Sequence, residues 1–292
     1  MRVLMIPTYF DTNRRTFGAD LTSASARIRA AWVAQAWPDC ELYDGLQRPS
    51  DYDVIIFQKV YQAARWREIA RRLRDAGKIV AFDLCDPVWL QGAMAPLHDM
   101  LGACTLAVAS TEPIREYLGR FLPAYTIPDR LDLAYHTERK VHTNSIVQMP
   151  SAVWFGYSAN YEAAGVLRPV LEQYGVPLTT IADRPFPRPD VEFVEWRLET
   201  VNAEIVKHDL VLNPPGRNFR WAYKSNNKTI TAWALGMPVA HNEEEVIRFL
   251  DWRERETEGA WRWQQVRDEY DVRLSVEEWK AVLAKGGQRC TS

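Results

Sequence analysis

The segment that decides the fold is residues 210–242, which read LVLNPPGRNFRWAYKSNNKTITAWALGMPVAHN. These 33 residues contain no Asp or Glu, although Asp and Glu (38) slightly outnumber Lys and Arg (36) in the whole chain. A short apolar run typical of a buried strand leads through a Pro- and Gly-containing loop into the apolar spacing of a helix over residues 224–235. Gly236 then follows as a helix C-terminal signal, and residues 238–240 form a second apolar run. The segment therefore predicts a strand, a loop, a helix and a further strand of a parallel sheet.

Basic side chains gather at the loop-to-helix junction of this segment, which contains Arg217, Arg220, Lys224 and Lys228. The N-terminus of a helix carries unpaired N–H groups and a partial positive charge, so it favours an anion at the end of the preceding strand. Lys224 and Lys228 are four residues apart and are expected on one helical face, where two ammonium groups repel unless they share an anion. The pattern predicts a phosphate site; the alternative is a solvated basic helix face.

The same alternation of short apolar runs and helical segments continues on both sides of residues 210–242. It predicts six strands before residue 130 and five after residue 150, with helices in the gaps. The polar stretch 129–150 lacks clear periodicity and is the expected linker. We therefore predict an α/β protein with two Rossmann-like, doubly wound parallel-sheet domains, residues 1–135 and 150–292, the second followed by C-terminal helices. Such domains bind ligands beyond the carboxyl ends of their strands, and we expect the two to face each other across a cleft.

Composition excludes several other classes of protein. A chain of 292 residues that is 47% hydrophobic can bury two cores, and its net charge of -2 provides no global basic field for non-specific binding to nucleic acid or membranes. Its four cysteines show no CxxC spacing, which favours a reducing compartment and argues against a structural zinc site. No apolar run approaches the roughly 20 residues that cross a bilayer, and none is typical of a signal peptide. A cytoplasmic protein without stable membrane insertion is expected.

Three segments, in order along the chain, resemble segments of one enzyme family. Residues 127–132 (IPDRLD) are similar to the turn between its two domains, and residues 154–160 (WFGYSAN) to the glycine-containing turn that opens its second domain. Residues 224–239 (KSNNKTITAWALGMPV) resemble its donor-binding segment. The family is that of the GT-B fold glycosyltransferases of group 1 (family 4), and the resemblance covers most of the chain. It implies transfer of a sugar from a nucleotide-sugar donor, for example a UDP-sugar, to an acceptor hydroxyl, without a metal ion or other cofactor and with retention of anomeric configuration.

The resemblance also implies a donor site in the second domain. Lys224, Ser225 and Lys228 would contact the diphosphate. Gly156 would allow the backbone to approach the phosphates, with Asn160 at the start of the next helix.

The ribose end of the implied donor site departs from the family. Asn213 would lie near the base or the ribose. Many relatives have a Glu-x7-Glu pair whose second Glu holds the ribose hydroxyls, and Tyr223 and Thr231 stand at these positions here. Thr231 could still hydrogen-bond a ribose. The departure leaves a second hypothesis open, a nucleotide- or sugar-phosphate-binding relative without transfer activity.

Charged residues also follow the predicted strands of the first domain. Residues 82–89 (FDLCDPVW) end a buried strand with Asp83 and Asp86, either of which could act as general base on an acceptor hydroxyl or orient it. The alternative for Asp86 is a cap on the following helix. Arg27, at the start of the first helix, and Lys59, after the third strand, are expected on the acceptor side.

The acceptor is left open between a glycan, a small metabolite and a modified nucleobase of DNA. A DNA acceptor would need a local basic rim, for which Arg14 and Arg15 in the loop 11–22 are candidates, together with Arg27 and Arg29. Arg27 and Arg29 cannot share a helical face, so one is expected to reach the acceptor and the other solvent or a surface carboxylate. A Rossmann dehydrogenase is disfavoured because no G-x-G-x-x-G follows the first strand.

Overall fold

The computed structural model describes residues 1–8, 10–11, 16–17, 23–143, 149–216 and 219–287. The chain divides into two units. The first unit contains Met1–Arg130, the short segment Ala222–Ser225 and the chain from Val272 onward; the second contains Leu131–Trp221 and Asn226–Asp271. Of the loop 11–22, the structure describes Asp11 and Thr16–Phe17. The two-residue strands Phe10–Asp11 and Thr16–Phe17 pair antiparallel. Arg14 and Arg15 lie outside the described residues.

The first unit is built on a six-stranded parallel sheet in the order β2-β1-β3-β4-β5-β6. Apart from the buried polar residues Gln58 and Asp83, its central strands are apolar, and they are buried on both faces, as is usual where helices cover a parallel sheet. The strand order reverses at β1, so the switch point lies where β1 and β3 end. The strands are β1 (Val3–Pro7), β2 (Cys40–Leu42), β3 (Val54–Gln58), β4 (Ile79–Leu84), β5 (Leu106–Ala109) and β6 (Ala124–Thr126).

The second unit contains a five-stranded parallel sheet in the order β9-β8-β7-β10-β11. Here the order reverses between β7 and β10, so the switch point lies where these two neighbours end. The predicted α/β class with two Rossmann-like parallel sheets is confirmed. The strands are β7 (Ala152–Phe155), β8 (Leu178–Ala182), β9 (Glu192–Glu195), β10 (Leu210–Leu212) and β11 (Val239–Ala240).

Helices connect the strands of both sheets. The first two, α1 and α2, are parts of one helical segment and are joined by five residues of π-helix, Arg27–Ala31. In the described part of the chain the α-helices are α1 (Ala24–Ala26), α2 (Trp32–Ala36), α3 (Ala64–Asp75), α4 (Met94–Leu101), α5 (Glu112–Leu118), α6 (Tyr161–Val166), α7 (Arg168–Gln173), α8 (Val201–Ile205), α9 (Asn227–Ala234), α10 (Glu243–Arg248), α11 (Trp252–Glu269) and α12 (Val272–Gly287). No helix among the described residues is long and apolar enough to cross a membrane.

The last helix does not follow the predicted domain division. The chain first crosses between the units at Arg130 and Leu131, at the start of the expected linker, but α12 belongs to the first unit and not to a domain of residues 150–292. Trp279 of α12 is 1% exposed, and Arg130 donates to both carboxylate oxygens of Glu278 at 2.7 and 2.8 Å. An apolar helical face predicts burial, but it does not specify the core that buries it.

A glycine lets α11 pack closely against the end of α9. A Cβ on Gly259 would lie 2.3 Å from the carbonyl oxygen of Gly236, which is backbone and cannot turn aside. Gly259→Ala is therefore expected to lower the free energy of unfolding by about 1–3 kcal/mol, measured by urea denaturation. Gly165→Ala in α6 is the matched control, because its Cβ would meet only Phe186 at 4.0 Å and a helical Ala is favoured over Gly. Equal effects of the two substitutions would contradict the close packing.

A buried histidine makes the stability of the second unit dependent on pH. His142 is 8% exposed and donates from Nε2 to the carbonyl of Gly236 at 3.2 Å. Burial lowers the pKa of His142 to about 4, so this ring stays neutral at pH values where the unfolded chain binds a proton. Its contribution to stability is therefore constant above about pH 6.5 and falls as the pH decreases toward 4.

We expect the wild-type protein to lose up to about 2 kcal/mol of unfolding free energy from this group between pH 7 and pH 5. His142→Gln should lack that part of the decrease. Burial also lowers the pKa of His208, so the difference between wild type and variant, and not the wild-type slope, is the quantity to measure. Parallel pH profiles of the two proteins would refute the assignment.

Candidate functional site

The switch point of the second sheet brings two predicted site residues to one edge. Gly156 directly follows β7 and Asn213 directly follows β10, and these strands are neighbours in the sheet. Ligands of open α/β sheets bind beyond the carboxyl ends of the strands at such a reversal of strand order. The second unit therefore offers a ligand site at the ends of β7 and β10.

Gly156 and Lys228, 72 positions apart in the sequence, lie next to each other at this edge. Gly156 has a φ of 144°, and a Cβ at this position would lie 2.6 Å from Nζ of Lys228. Lys228 stands in the first turn of α9, with its Nζ 4.0 Å from the ring centre of the buried Trp154. The indole face holds the ammonium group beside the glycine. A positive charge, a helix N-terminus and a turn without a side chain thus meet where an anion could bind.

The helix after the loop begins later than the sequence predicts. A 3-10 turn occupies Phe219–Tyr223, Asn226 is the N-cap residue, and α9 starts at Asn227. Lys224 therefore precedes the helix, and the prediction that Lys224 and Lys228 share one helical face is wrong. Asn226 is of a residue type favoured at the N-cap position, but its side chain makes no capping hydrogen bond in the described structure.

Lys224 and Ser225 bond to carboxylates of the first unit, to which they belong. Lys224 Nζ lies 3.5 Å from Asp86 Oδ1, and the hydroxyl of Ser225 donates to Asp129 Oδ2 at 2.6 Å. The ring of Tyr223 packs edge-on against Trp89, with 5.6 Å between ring centres. The predicted diphosphate contacts of Lys224 and Ser225 are therefore taken by acidic partners in this structure.

The remaining predicted donor residues lie in the second unit. Asn160 is the N-cap residue of α6, after a 3-10 turn at Ser158–Asn160. Asn213 donates from Nδ2 to the hydroxyl of Thr229 at 2.9 Å, and the hydroxyl of Thr231 donates to Asn227 Oδ1 at 3.3 Å. Tyr223 and Thr231 supply no carboxylate at the positions of the family's Glu pair.

A buried charge network occupies the carboxyl end of β4 in the first unit. Asp83 is fully buried, and its two oxygens accept three bonds at 2.5 to 3.1 Å from Nε and Nη2 of Arg29. The Nη1 group of Arg29 donates to the carbonyl of Ile127 at 3.0 Å and to Asp129 at 2.8 Å. Burial alone would lower the pKa of Arg29, but Asp83 and Asp129 hold it above its ordinary value. Asp83 is thus no longer a candidate base, because its oxygens are enclosed and occupied by Arg29.

The two arginines of the π-helical segment are both buried. Arg29 reaches interior carboxylates, and Arg27 is 9% exposed with its guanidinium carbon 5.5 Å from the ring centre of Trp32. The expectation that one of them reaches solvent is wrong, because neither side chain is exposed. The π-helix widens the turn here, which changes the direction of side chains relative to a regular α-helix.

Asp86 is held between two lysines near the end of β4. Lys59 Nζ lies 2.5 Å from Asp86 Oδ2, and Lys224 Nζ is the second neighbour. Burial alone would raise the pKa of Asp86, but the two ammonium groups hold it below its usual value. Asp86 therefore remains a carboxylate at neutral pH, suited to accept a hydrogen bond more than to take a proton.

Lys59 has the only positive φ, 58°, among the non-glycine residues that the structure describes. Its N–H donates to the carbonyl of Asp83 at 2.8 Å, and its own carbonyl accepts from the hydroxyl of Thr8 at 3.2 Å. Left-handed backbone at a residue with a side chain costs about 1–2 kcal/mol, and such strain is concentrated at functional sites. Lys59 is thus fixed at the switch point of the first sheet.

Two substitutions separate the strain of Lys59 from its charge. Lys59→Ala and Lys59→Gly both remove the ammonium group, but only glycine relieves the left-handed backbone. We expect the Gly variant to unfold with a free energy about 1 kcal/mol higher than that of the Ala variant in urea. An Ala variant as stable as the Gly variant would show that the backbone here is unstrained.

His98 lies in the first unit, where its ring contacts two aromatic side chains. His98 Nε2 lies 2.8 Å from the hydroxyl of Tyr117, and its ring packs against Phe121. No group of three or more His, Cys, Asp or Glu side chains that could hold a metal ion occurs among the described residues. Sequence reasoning missed Asp129, although it stands in the IPDRLD segment, and it missed Thr229, His241 and Glu245, which contact Asn213 directly or in series.

Comparison with known proteins establishes the fold. No protein-family model and no curated protein sequence matches the chain. An alpha-glucosyltransferase solved with UDP and a 13-mer DNA containing an HMU base matches with a TM-score of 0.63 and 10% identity, over 97% of this chain and 99% of that chain. An alpha-glucosyltransferase solved with UDP-glucose and DNA containing an abasic site matches with a TM-score of 0.64 and 8% identity, over 97% of this chain and 98% of that chain. The lipopolysaccharide outer core galactosyltransferase WaaB matches with a TM-score of 0.57 and 12% identity, over 98% and 100%. With its two Rossmann-like parallel sheets, this chain has the GT-B fold of glycosyltransferases.

Proposed function

We propose that this protein is a glycosyltransferase that moves a sugar from a UDP-linked donor to an acceptor hydroxyl. The observation that carries the proposal is the contact of Lys228 with Gly156 at the start of α9, on the edge where β7 and β10 end. The fold supports it, because matched structures of nearly the same length contain UDP or UDP-glucose.

The chemistry follows from the charge that develops on the leaving group. As the bond between the sugar and the diphosphate breaks, negative charge grows on the phosphate oxygens. The ammonium group of Lys228 and the free N–H groups of the first turn of α9 would stabilise that charge without reorganisation. Gly156 lets the phosphates approach because no Cβ stands in the way. We propose that these groups meet the charge of the leaving diphosphate without a metal ion, and that the products retain the anomeric configuration.

The other proposed site residues orient the substrates. Asn160, Asn213 and Thr231 would contact the donor from the second unit. In the first unit, Asp86 and Lys59 would orient the acceptor hydroxyl through their hydrogen-bonding groups. Lys224 and Ser225 would reach a diphosphate only by giving up Asp86 and Asp129.

For the acceptor we propose a hydroxyl on a modified nucleobase of DNA. Three matched structures of nearly equal length contain DNA, one of them with an HMU base. A glycan and a small metabolite are the competing acceptor classes, and transfer to either in place of DNA would refute this choice.

The first experiment is a thermal shift screen with UDP, GDP, ADP, CMP and their common sugar conjugates. A ligand that binds only the folded state raises the Tm by mass action. We expect a shift with UDP and UDP-sugars, followed by mass-spectrometric detection of a hexose added to DNA that contains an HMU base, and none added to unmodified DNA. No shift with any nucleotide would contradict the donor site.

A second candidate function is nucleotide or sugar-phosphate binding without transfer. It is favoured by Tyr223 and Thr231, since Tyr223 packs against Trp89 and Thr231 bonds to Asn227, and neither offers a carboxylate to a ribose. This candidate predicts a thermal shift with UDP-sugars but neither transfer nor donor hydrolysis.

A further inference from the structure

A series of hydrogen-bonded side chains lies on the carboxyl edge of the second sheet. Glu245 Oε2 accepts from the backbone N–H of His241 at 2.6 Å and lies 3.1 Å from Nδ1 of the same residue. His241 Nε2 lies 3.3 Å from the hydroxyl of Thr229, which accepts from Nδ2 of Asn213 at 2.9 Å. We call Glu245, His241, Thr229 and Asn213 the relay. It runs from the partly exposed Glu245 to the buried Thr229 and ends at Asn213, directly after β10.

With a neutral His241 ring, the relay has a single direction of donation. An ionised carboxylate only accepts hydrogen bonds, so Nδ1 of His241 carries the proton that faces Glu245. In a neutral imidazole the other nitrogen is then an acceptor, and the hydroxyl of Thr229 donates to it. That hydroxyl oxygen in turn accepts from the amide of Asn213.

This direction decides which way the Asn213 amide faces. The Nδ2 group is held by Thr229, so the carbonyl oxygen Oδ1 points to the other side. Oδ1 is buried and has no hydrogen-bond partner in the described structure. A buried acceptor without a donor is costly, and in native proteins such an atom needs an explanation. Here it stands at the switch point, where the ends of β7 and β10 define the ligand site.

We infer that the relay fixes Asn213 as a hydrogen-bond acceptor for the nucleoside of the donor, and that Thr229, His241 and Glu245 are positioning residues. The inference rests on the proposed function. Asn213 contacts the ligand, and the other three act through it. The matching group is the hydrogen-bond donor of the nucleoside that would bond to Oδ1 of Asn213, either the N3–H of uracil or a ribose hydroxyl.

Glu245 also has a structural role that the experiment must separate from the relay. Asn242 caps α10 by accepting from the N–H of Glu245 at 2.9 Å, and Glu245 reaches back to the N–H of His241. This arrangement resembles a capping box and stabilises the helix by itself. Substitutions of Glu245 would change both functions, so the test uses Thr229, His241 and Asn213.

The test measures UDP affinity by calorimetry in variants that break the relay at different points. Asn213→Ala removes the acceptor, Thr229→Val removes the hydroxyl with little change in shape, and His241→Phe removes both ring nitrogens but leaves the cap of α10 intact. Each is expected to weaken UDP binding about tenfold, the effect of losing one well-placed hydrogen bond. Thr229→Ser keeps the hydroxyl and should bind within about twofold of wild type.

Thr179→Val is the control for loss of a buried threonine hydroxyl. Thr179 is 4% exposed in the same unit, and its hydroxyl donates to Glu192 at 3.0 Å, away from the relay. The Thr179→Val variant should bind UDP with the affinity of the wild type. If Thr229→Val fails to fold, His241→Phe carries the test, since His241 is 37% exposed and a ring of similar size is kept.

Ligand analogues identify the matching group. N3-methyl-UDP, 2′-deoxy-UDP and 3′-deoxy-UDP each lack one donor. For the analogue that lacks the matching donor, Asn213→Ala should cause no further loss of affinity, because the two changes remove the same interaction. For the other analogues it should cause the full loss.

The outcomes separate this inference from the proposed function. Wild-type protein that binds UDP, together with Asn213→Ala and His241→Phe variants that bind it equally well, would overturn the inference and leave the proposed function intact. A Thr229→Ser variant as weak as Thr229→Val would also overturn it. Wild-type protein that binds no nucleotide would overturn the proposed function, and the inference with it.

Discussion

Lys228→Ala is expected to lower the turnover of sugar transfer by about 100-fold or more, while the protein stays folded. The reason is that the ammonium group lies at the start of α9 beside Gly156, where negative charge would develop on the leaving diphosphate. Removing one group that stabilises a developing charge typically costs about 100- to 1,000-fold in kcat. Alanine is the best helix former, so α9 should persist. The measurement is transfer from the donor that the nucleotide screen identifies.

Two further variants make the result specific. Lys228→Met keeps an apolar stem against Trp154 but removes the charge, and it should be as inactive as Lys228→Ala. Lys207→Met removes an exposed lysine of the same unit that pairs with Glu204, and it should retain full activity. Well-folded Lys228→Ala protein with wild-type turnover would refute the phosphate assignment.

Arg29→Ala is expected to destabilise the protein by about 3–5 kcal/mol, the cost of leaving a buried charge without its partner. Asp83 would keep its place inside the first unit with both oxygens unpaired, and Asp129 would lose a bond as well. Urea denaturation and calorimetry measure the loss of unfolding free energy and of Tm. Arg29→Lys should be intermediate, because an ammonium group cannot form the forked contact with Asp83 and also reach Ile127.

Arg115→Ala is the control for the loss of a guanidinium group. Arg115 pairs with Glu112 one turn away on the surface of α5, and exposed pairs of this kind contribute about 0–1 kcal/mol. A similar loss of stability in Arg29→Ala and Arg115→Ala would show that the buried network contributes no more than a surface pair.

The strands of both sheets were predictable because the information is local. A strand of a parallel sheet is buried on both faces, so its sequence is a short, mainly apolar run, as in Val54–Gln58 or Ala152–Phe155. The glycine turn after Phe155 and the basic residue at the start of α9, Lys228, were predictable for the same reason. Neither strand order nor the contact of Gly156 with Lys228 could be read from periodicity, because both bring together residues that are distant in sequence.

The errors concern interactions between residues that are distant in sequence. The buried partners of Arg29 were not predicted because Asp83 and Asp129 lie 54 and 100 residues away in the sequence. The start of α9 was misplaced because the packing of Tyr223 against Trp89 and the bond from Ser225 to Asp129 hold residues 223–225 outside the helix. The relay escaped notice because a single histidine after a strand has no recognisable pattern.

The return of α12 to the first unit affects how this protein is made on the ribosome. Synthesis proceeds from the N-terminus, and N-terminal domains generally fold as soon as they emerge. Here the first unit lacks Ala222–Ser225 and α12 until these segments have left the exit tunnel, whereas the second unit is complete once Asp271 has emerged. The second unit is therefore complete before the first, although the first sheet is synthesised earlier. The surface of the first unit that α12 covers stays exposed until α12 has emerged.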